Sequence, residues 1–431
     1  MLLAIEDPDT CCAALETLET IIQKASTNAP KKPISLLMAH IHRVVLSAED
    51  PEVASKAQHV LAEALDSGAA RKAEFFSLLT NSQLLDTLIK LENQCLSAPP
   101  SNVQSALHLL GFFLEHSYHA LPNSRDTVFE ATTRYIRLLR MTLIDTNPFD
   151  TRFAAAQSIC ALHHLWTAST STSQASPHVL GLGLILYDML QDDDDEIRDL
   201  AALATSTFIS TTTKKKADRT IPILASQHLL TQLLSLFPKS APLATHALRH
   251  LVDTPSPQPL FGKPFREMLE EVTKPQTALF AQEKQNLFKD DVLDALCMSR
   301  ILSSASLSAS LPASVLDAAA GWTKDALRVL TAKYEQDVDG ALGWASRGEV
   351  FTWLIRIICL ADVILQSGAK GKTDVKLGLA KLVSAMGKAE GHGLVVKRAE
   401  KILEDDVMRS LGMLKGVAKE APEYAVSWLE A

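Results

Sequence analysis

The stretch DDDDEIRDLAALATSTF, residues 192–208, decides the fold. Five acids, Asp192 to Glu196, precede apolar residues at helical spacing. Ile197, Leu200, Ala201, Ala204 and Phe208 fall at i, i+3, i+4, i+7 and i+11, which is one face of an α-helix. The segment before it, HVLGLGLILYDML (178–190), is apolar nearly all round, as a helix enclosed in a stack must be. One such pair cannot bury both of its faces alone, so stacking on neighbours is required.

The same design recurs along the chain. EDPDTCCAAL (6–15), EDPEVASKAQHVL (49–61), PPSNVQSALHLL (99–110), NPFDTRFAAAQSI (147–159) and SAPLATHALRHL (240–251) each pair a turn rich in Pro, Asp or Ser with Ala and Leu at helical spacing. With Thr10, Val53, Val103, Thr151, Ile197 and Leu243 as equivalent positions, the intervals are 43, 50, 48, 46 and 46 residues. Repeats of about 40–47 residues with two or three helices are the HEAT/armadillo signature. The fold expected is all-α, a HEAT/armadillo-like α-solenoid of stacked antiparallel helix pairs.

Composition agrees. Hydrophobic residues make up 47% of the 431, aromatics only 6%, and Ala and Leu lead, as in helical proteins. HEAT-like repeats are expected over 1–252, a Pro-rich connection over 253–275 (DTPSPQPLFGKP) and further helical repeats over 276–431, with helical patterns at 276–302, 312–337, 346–366, 374–390 and 394–417. Ser-rich LSSASLSASLPAS (302–314) and SGAKGKTD (367–374) read as loops, as does WTASTSTSQASPH (166–178). A solenoid beginning at residue 1 would expose an apolar face near residues 1–25. The six cysteines form no framework and suit a reduced, intracellular setting. No run has the length of a membrane span, and no basic, apolar leader opens the chain. A cytoplasmic location is expected.

Catalytic and cofactor motifs are absent from the sequence. As a calcium loop, the acidic run would need Gly at its sixth position and a carboxylate at its twelfth. Those places hold Ile197 and Leu203. The acids are expected instead to cap a helix start and complement its dipole. SGAKGKT resembles a phosphate-binding loop, but the first required Gly is Gln366. GLG (181–183) and GHG (391–393) lack the third Gly of a dinucleotide fingerprint. His246 and His250 share a helix face without the H-E-x-x-H context of a zinc site. No cofactor and no metal are expected.

Local basic clusters stand out against a net charge of −8. Arg134, Arg137 and Arg140 run along one helix. Lys214, Lys215 and Lys216 sit in a loop. From 370 to 401 eight basic residues, among them Lys370, Lys372, Lys376, Lys397 and Arg398, face three acids. Solvated helix faces explain any single cluster, but together they are candidate RNA contacts, because phosphate recognition needs such local patches.

The acidic run and its flanks carry one further signal. Tyr187 and Asp188, the acid-rich turn with Asp193 and Asp194, then Glu196, Ile197, Arg198 and Asp199 resemble the C-terminal part of the THADA family. ALFAQEKQNLFKDD (278–291), with Glu283 and Asn286, is similar to a second family segment. The resemblance implies a non-catalytic helical-repeat scaffold. Its fungal members are regulatory subunits of an FtsJ-like tRNA 2'-O-methyltransferase that modifies the anticodon loop. The implied partners are that enzyme and tRNA, with no membrane. The alternative is a general protein-interaction solenoid, of the adaptor or tubulin-folding type, with no RNA role.

Overall fold

A computed structural model of the chain describes residues 7–24, 31–66, 69–97, 103–120, 125–144, 147–162, 165–166, 177–213, 222–254, 258–273, 291–336, 348–386 and 393–410. Among these residues every regular element is a helix, and no helix is long and apolar enough to cross a membrane. The chain divides into two compact units, Met1–Leu229 and Leu230–Ala431.

The first unit holds α1 (Pro8–Lys24), α2 (Lys31–Ser47), α3 (Pro51–Asp66), α4 (Ala69–Ser77), α5 (Asn81–Ser97), α6 (Gln104–Ala120), α7 (Arg125–Thr142), α8 (Phe149–Cys160), α9 (Pro177–Met189) and α10 (Asp195–Thr213). They form two layers. In one layer α1, α3, α6, α8 and α10 pack in succession, and in the other α2, α5, α7 and α9 do the same. Pairs such as α2/α3, α5/α6, α7/α8 and α9/α10 pack across the layers, and α4 leans on α2 and α3. This is the stacking of solenoid repeats: each helix pair buries its apolar faces only against its neighbours.

The repeat marker has a structural meaning. Thr10, Val53, Thr151 and Ile197 are each the third residue of a helix in the same layer, and Leu243 is the third residue of α12 (Ala241–Leu251) in the second unit. The preceding residue often caps the helix. Asp50 accepts from the Val53 N–H at 3.0 Å and Ser240 from the Leu243 N–H at 3.3 Å. Each such cap contributes about 1 kcal/mol. The third helical residue then turns inward: Val53, Thr151, Ile197 and Leu243 are buried. Two copies depart. Thr10 is exposed and bonded to Asp7, leaving Cys11 as the buried residue. Val103 immediately precedes α6, so that helix starts three residues later relative to its marker.

Close packing within the layers depends on small residues. A Cβ added to Gly111 of α6 would lie 2.5 Å from the carbonyl oxygen and from the hydroxyl of Ser158 on α8. That hydroxyl donates to the Leu107 carbonyl at 2.6 Å and meets the Tyr135 hydroxyl at 2.6 Å. One buried hydrogen-bonded chain thus ties α6, α7 and α8 together. The apolar surface expected near residues 1–25 is not found on α1. Its outward residues Ala13, Glu16, Thr17 and Thr20 leave Ile21 as its one exposed large hydrophobic side chain.

Helix α11 (Pro222–Leu236) contains the boundary between the units. The second unit continues with α12, α13 (Phe265–Thr273), α14 (Asp291–Leu302), the short α15 (Ala305–Ser308), α16 (Ala313–Gln336), α17 (Gly348–Gln366), α18 (Lys372–Met386) and α19 (Gly393–Ser410). Stretches expected to be irregular contain helix. Phe265 to Thr273, inside the Pro-rich stretch, is held because Phe265 packs edge-on against Trp322 and Trp353. Ala305–Ser308 is a single turn within the Ser-rich segment. Helix α17 is the centre of this unit, packed by α12, α13, α14, α16, α18 and α19. Every residue from Trp353 to Leu365 is buried, so its two charged members, Arg356 and Asp362, must find partners inside.

Candidate functional site

The acidic run is built around an arginine from the preceding repeat. Arg152 follows the marker residue Thr151 on α8, and its side chain is only 7% exposed. Its Nη1 donates to Asp192 Oδ1 at 2.5 Å and to Asp193 Oδ1 at 3.0 Å, and its Nη2 donates to the Asp194 carboxylate. Arg198 closes the turn from the other side, donating to the Asp192 and Asp193 carbonyl oxygens at 2.6 and 2.9 Å. Burial, joined by the neighbouring Asp193 carboxyl, raises Asp192 above its ordinary value. Asp193, despite its own desolvation, is held below that value by Asp192 and Arg152.

This corrects the expectation that the run mainly caps a helix. Oxygens of Asp192, Asp193 and Asp194 do converge, all within 4.8 Å of one another, as a cation site requires. The cation among them is the Arg152 guanidinium. A metal ion bound there would have to displace a buried arginine, which would then lack compensation. Asp195 and Glu196, in the first turn of α10 and exposed, remain where the helix dipole favours them.

A second buried arginine organises the other unit. Arg356 of α17 is 3% exposed; its Nη1 lies 3.1 Å from Asp253 Oδ1 and its Nη2 donates to Asp291 Oδ1 at 2.8 Å. Its guanidinium also lies over the Trp353 ring, 5.4 Å from the centroid. Beside it His250 Nδ1 bonds to Asp294 at 2.9 Å. Asp253 adopts the left-handed backbone, φ 48°, just past the Val252 C-cap of α12. Both clusters join acids at helix ends to an arginine far away in sequence.

The candidate RNA-contact residues divide by their partners. Arg134 forms a two-pronged bond to Glu92 of α5, with Nη2 to Oε2 at 3.1 Å, and Glu130 lies 3.7 Å away. Arg137 and Arg140 are exposed and have no carboxylate partner among the described residues. Lys372 and Lys376 both bind Asp406, at 3.0 and 2.8 Å, and that carboxylate is buried. Arg398 lies 3.4 Å from Asp362. Lys370 is 90% exposed, with Asp317 3.9 Å away, and Lys397 is exposed. Lys214, Lys215 and Lys216 lie outside the described residues. The phosphate-loop lookalike is a tight connection between α17 and α18. Gly371 sits there because a Cβ would come within 2.9 Å of the Ala320 Cβ. Burial pushes the Cys95, Cys160 and Cys359 thiols up to about 12, which keeps them protonated at neutral pH.

Two comparisons with known proteins bear on these clusters. Residues 231–407 match the family described as the Trm72 ARM-like repeat region. Over 309 residues, 70% of this chain, the sequence is 25% identical to the tRNA (32-2'-O)-methyltransferase regulator trm732 of Schizosaccharomyces pombe. Over these residues the chain is similar to proteins of the Trm732 type. The match spans 18% of the length of that relative. The relative is named a regulator, and the matched family is a repeat region.

The residues that carried the THADA-type resemblance divide by their surroundings. Tyr187 and Ile197 are buried. Asp193 and Asp194 hold Arg152, and Arg198 holds the turn. Asp188, Glu196 and Asp199 are exposed. Glu283 and Asn286 lie outside the described residues. Arg152 and Arg356 did not stand out in the sequence. Each is a charged residue at a position where its helix turns inward, a signal visible once the buried face is known.

Proposed function

We propose that the chain is a non-catalytic scaffold for tRNA 2'-O-methylation. In this reading its repeats hold an FtsJ-like methyltransferase, which brings its own methyl-donor site, and present the anticodon loop so that nucleotide 32 is modified. One observation carries the reading: 70% of the chain aligns with a protein named as a regulator of that methylation. The geometry is compatible. Among the described residues Arg152 and Arg356 are engaged in inter-helix clasps, while Lys370 and Lys397 are exposed and available for contact. Lys370 and Lys397 are the assigned RNA contacts in the second unit, with Lys214, Lys215 and Lys216 as further candidates.

The test is to delete the gene in its own host and read ribose methylation at nucleotide 32 by resistance to alkaline cleavage. Loss of the modification, restored by the full chain, is expected. Retention of full methylation would remove the reading. It would leave the general protein-interaction solenoid, as would binding of this chain to partners that carry no methyltransferase.

A further inference from the structure

We propose that the outer groove between α5 and α7 docks an acidic, amphipathic segment of a partner protein. The inference goes beyond the scaffold reading above and stands without it, because it rests on the surface alone. The Glu92–Arg134 bond crosses from α5 to α7 and fixes their register. One turn on from Glu92 is Leu96, and one and two turns on from Arg134 are Arg137 and Met141. Leu96, Arg137 and Met141 therefore stand together on the outer side. Leu96 and Met141 are each 60% exposed. Ile89, seven residues before Leu96 on the same stripe, is also exposed, as is Ile144 just past α7.

Long aliphatic side chains left in water beside arginines without carboxylate partners define the occupant. Aliphatic groups offer no flat π-face for a nucleobase, and they would stand between the cations and a phosphate backbone. Met and Arg are enriched in protein interfaces, and apolar anchors spaced i, i+7 suit a segment lying along a groove. Arg134 is already neutralised by Glu92 and Glu130, so among the described side chains of α7 the positive charge without a carboxylate partner is that of Arg137 and Arg140. Carboxylates flanking an apolar stripe on the partner complement both features. Arg137 and Arg140 are thereby assigned to protein contact rather than to RNA.

The experiment places a photo-reactive benzoylphenylalanine at position 96 of the full chain in living cells and maps the cross-linked product by mass spectrometry. A peptide of another protein is expected, with Asp or Glu within a turn of aliphatic residues. Its yield should fall about tenfold in an Arg137→Glu/Arg140→Glu variant, the effect of losing about 1.4 kcal/mol of binding. Circular dichroism checks that this variant is folded, and Arg137→Gln/Arg140→Gln replaces it if it is not. An adduct with RNA, with a second copy of this chain or with a peptide lacking acids overturns the proposal. So does the absence of any adduct, or a yield indifferent to both charge changes.

Discussion

Arg152 and Asp192 lie 40 residues apart in sequence and 2.5 Å apart in space, so the first helix of one repeat is bonded to the turn that begins the next. Asp193 and Asp194 complete the grip. A solenoid has no contacts between distant repeats, so a bond of this kind acts only where two neighbours meet. Arg356 with Asp253 and Asp291 does the same work within the second unit.

Removing Arg152 should therefore be costly. Arg152→Ala leaves Asp192 buried without its cation, and such a loss costs about 3–5 kcal/mol. The expected outcome is a clear drop in the urea midpoint. A variant that also carries Asp192→Asn, Asp193→Asn and Asp194→Asn should regain much of it, because the uncompensated charge is gone. If the quadruple variant were no more stable than Arg152→Ala, the charge account would be wrong and poorer packing would explain the effect.

Acid should weaken the first unit through two buried histidines. Burial pushes His42 down to about 4, with Arg43 adding to the effect, and burial does the same to His108 against the pull of Asp66. In the unfolded chain both titrate near 6.5. Between those values the unfolded state binds more protons than the folded one. Stability is then complete above about pH 6.5 and is lost as pH falls toward 4. Urea midpoints should decline across that window, and a His42→Gln/His108→Gln variant should show a shallower decline.

The repeat was legible in sequence because it is local. A turn residue, a buried third helical residue and Ala at helical spacing occupy a dozen positions, and the third residues Val53, Thr151, Ile197 and Leu243 mark their helices correctly. The clasps were not legible, since each bond joins residues some 30 to 100 positions apart and leaves no local pattern. Asp192 to Asp194 look like helix-capping acids when read alone. Lys372 and Lys376 look like solvated surface until Asp406, 30 residues beyond Lys376, is seen buried beneath them. The α5–α7 groove escaped for the same reason: Leu96 reads as one more apolar residue until its exposure is known.

Gly111 offers a test of packing alone. A methyl group there would collide with the Ser158 carbonyl oxygen and hydroxyl at 2.5 Å, and backbone cannot yield as a flexible side chain would. Gly111→Ala should destabilise the first unit by about 1–3 kcal/mol, although alanine is the better helix former. A lowered thermal midpoint checks this. An unchanged or raised midpoint would mean that α6 and α8 part freely enough to admit the methyl, and that their close approach is not fixed by Gly111.

The basic residues of the second unit can be sorted by what their removal does. Lys370 and Lys397 are exposed, and neither is the sole compensation of a buried acid. Lys370→Glu with Lys397→Glu should leave the thermal midpoint nearly unchanged and weaken tRNA binding in a filter assay. The slope of log affinity against log salt should fall by about 0.7–0.9 for each phosphate that is no longer neutralised. Lys372→Met with Lys376→Met should do the reverse. Asp406 would be left buried without its cations, so the thermal midpoint should drop, while the salt slope of the remaining folded protein stays near that of the parent chain. Equal effects of the two pairs on binding would show that pairing to Asp406 does not set aside Lys372 and Lys376, and that the whole basic surface from 370 to 398 meets RNA as one patch.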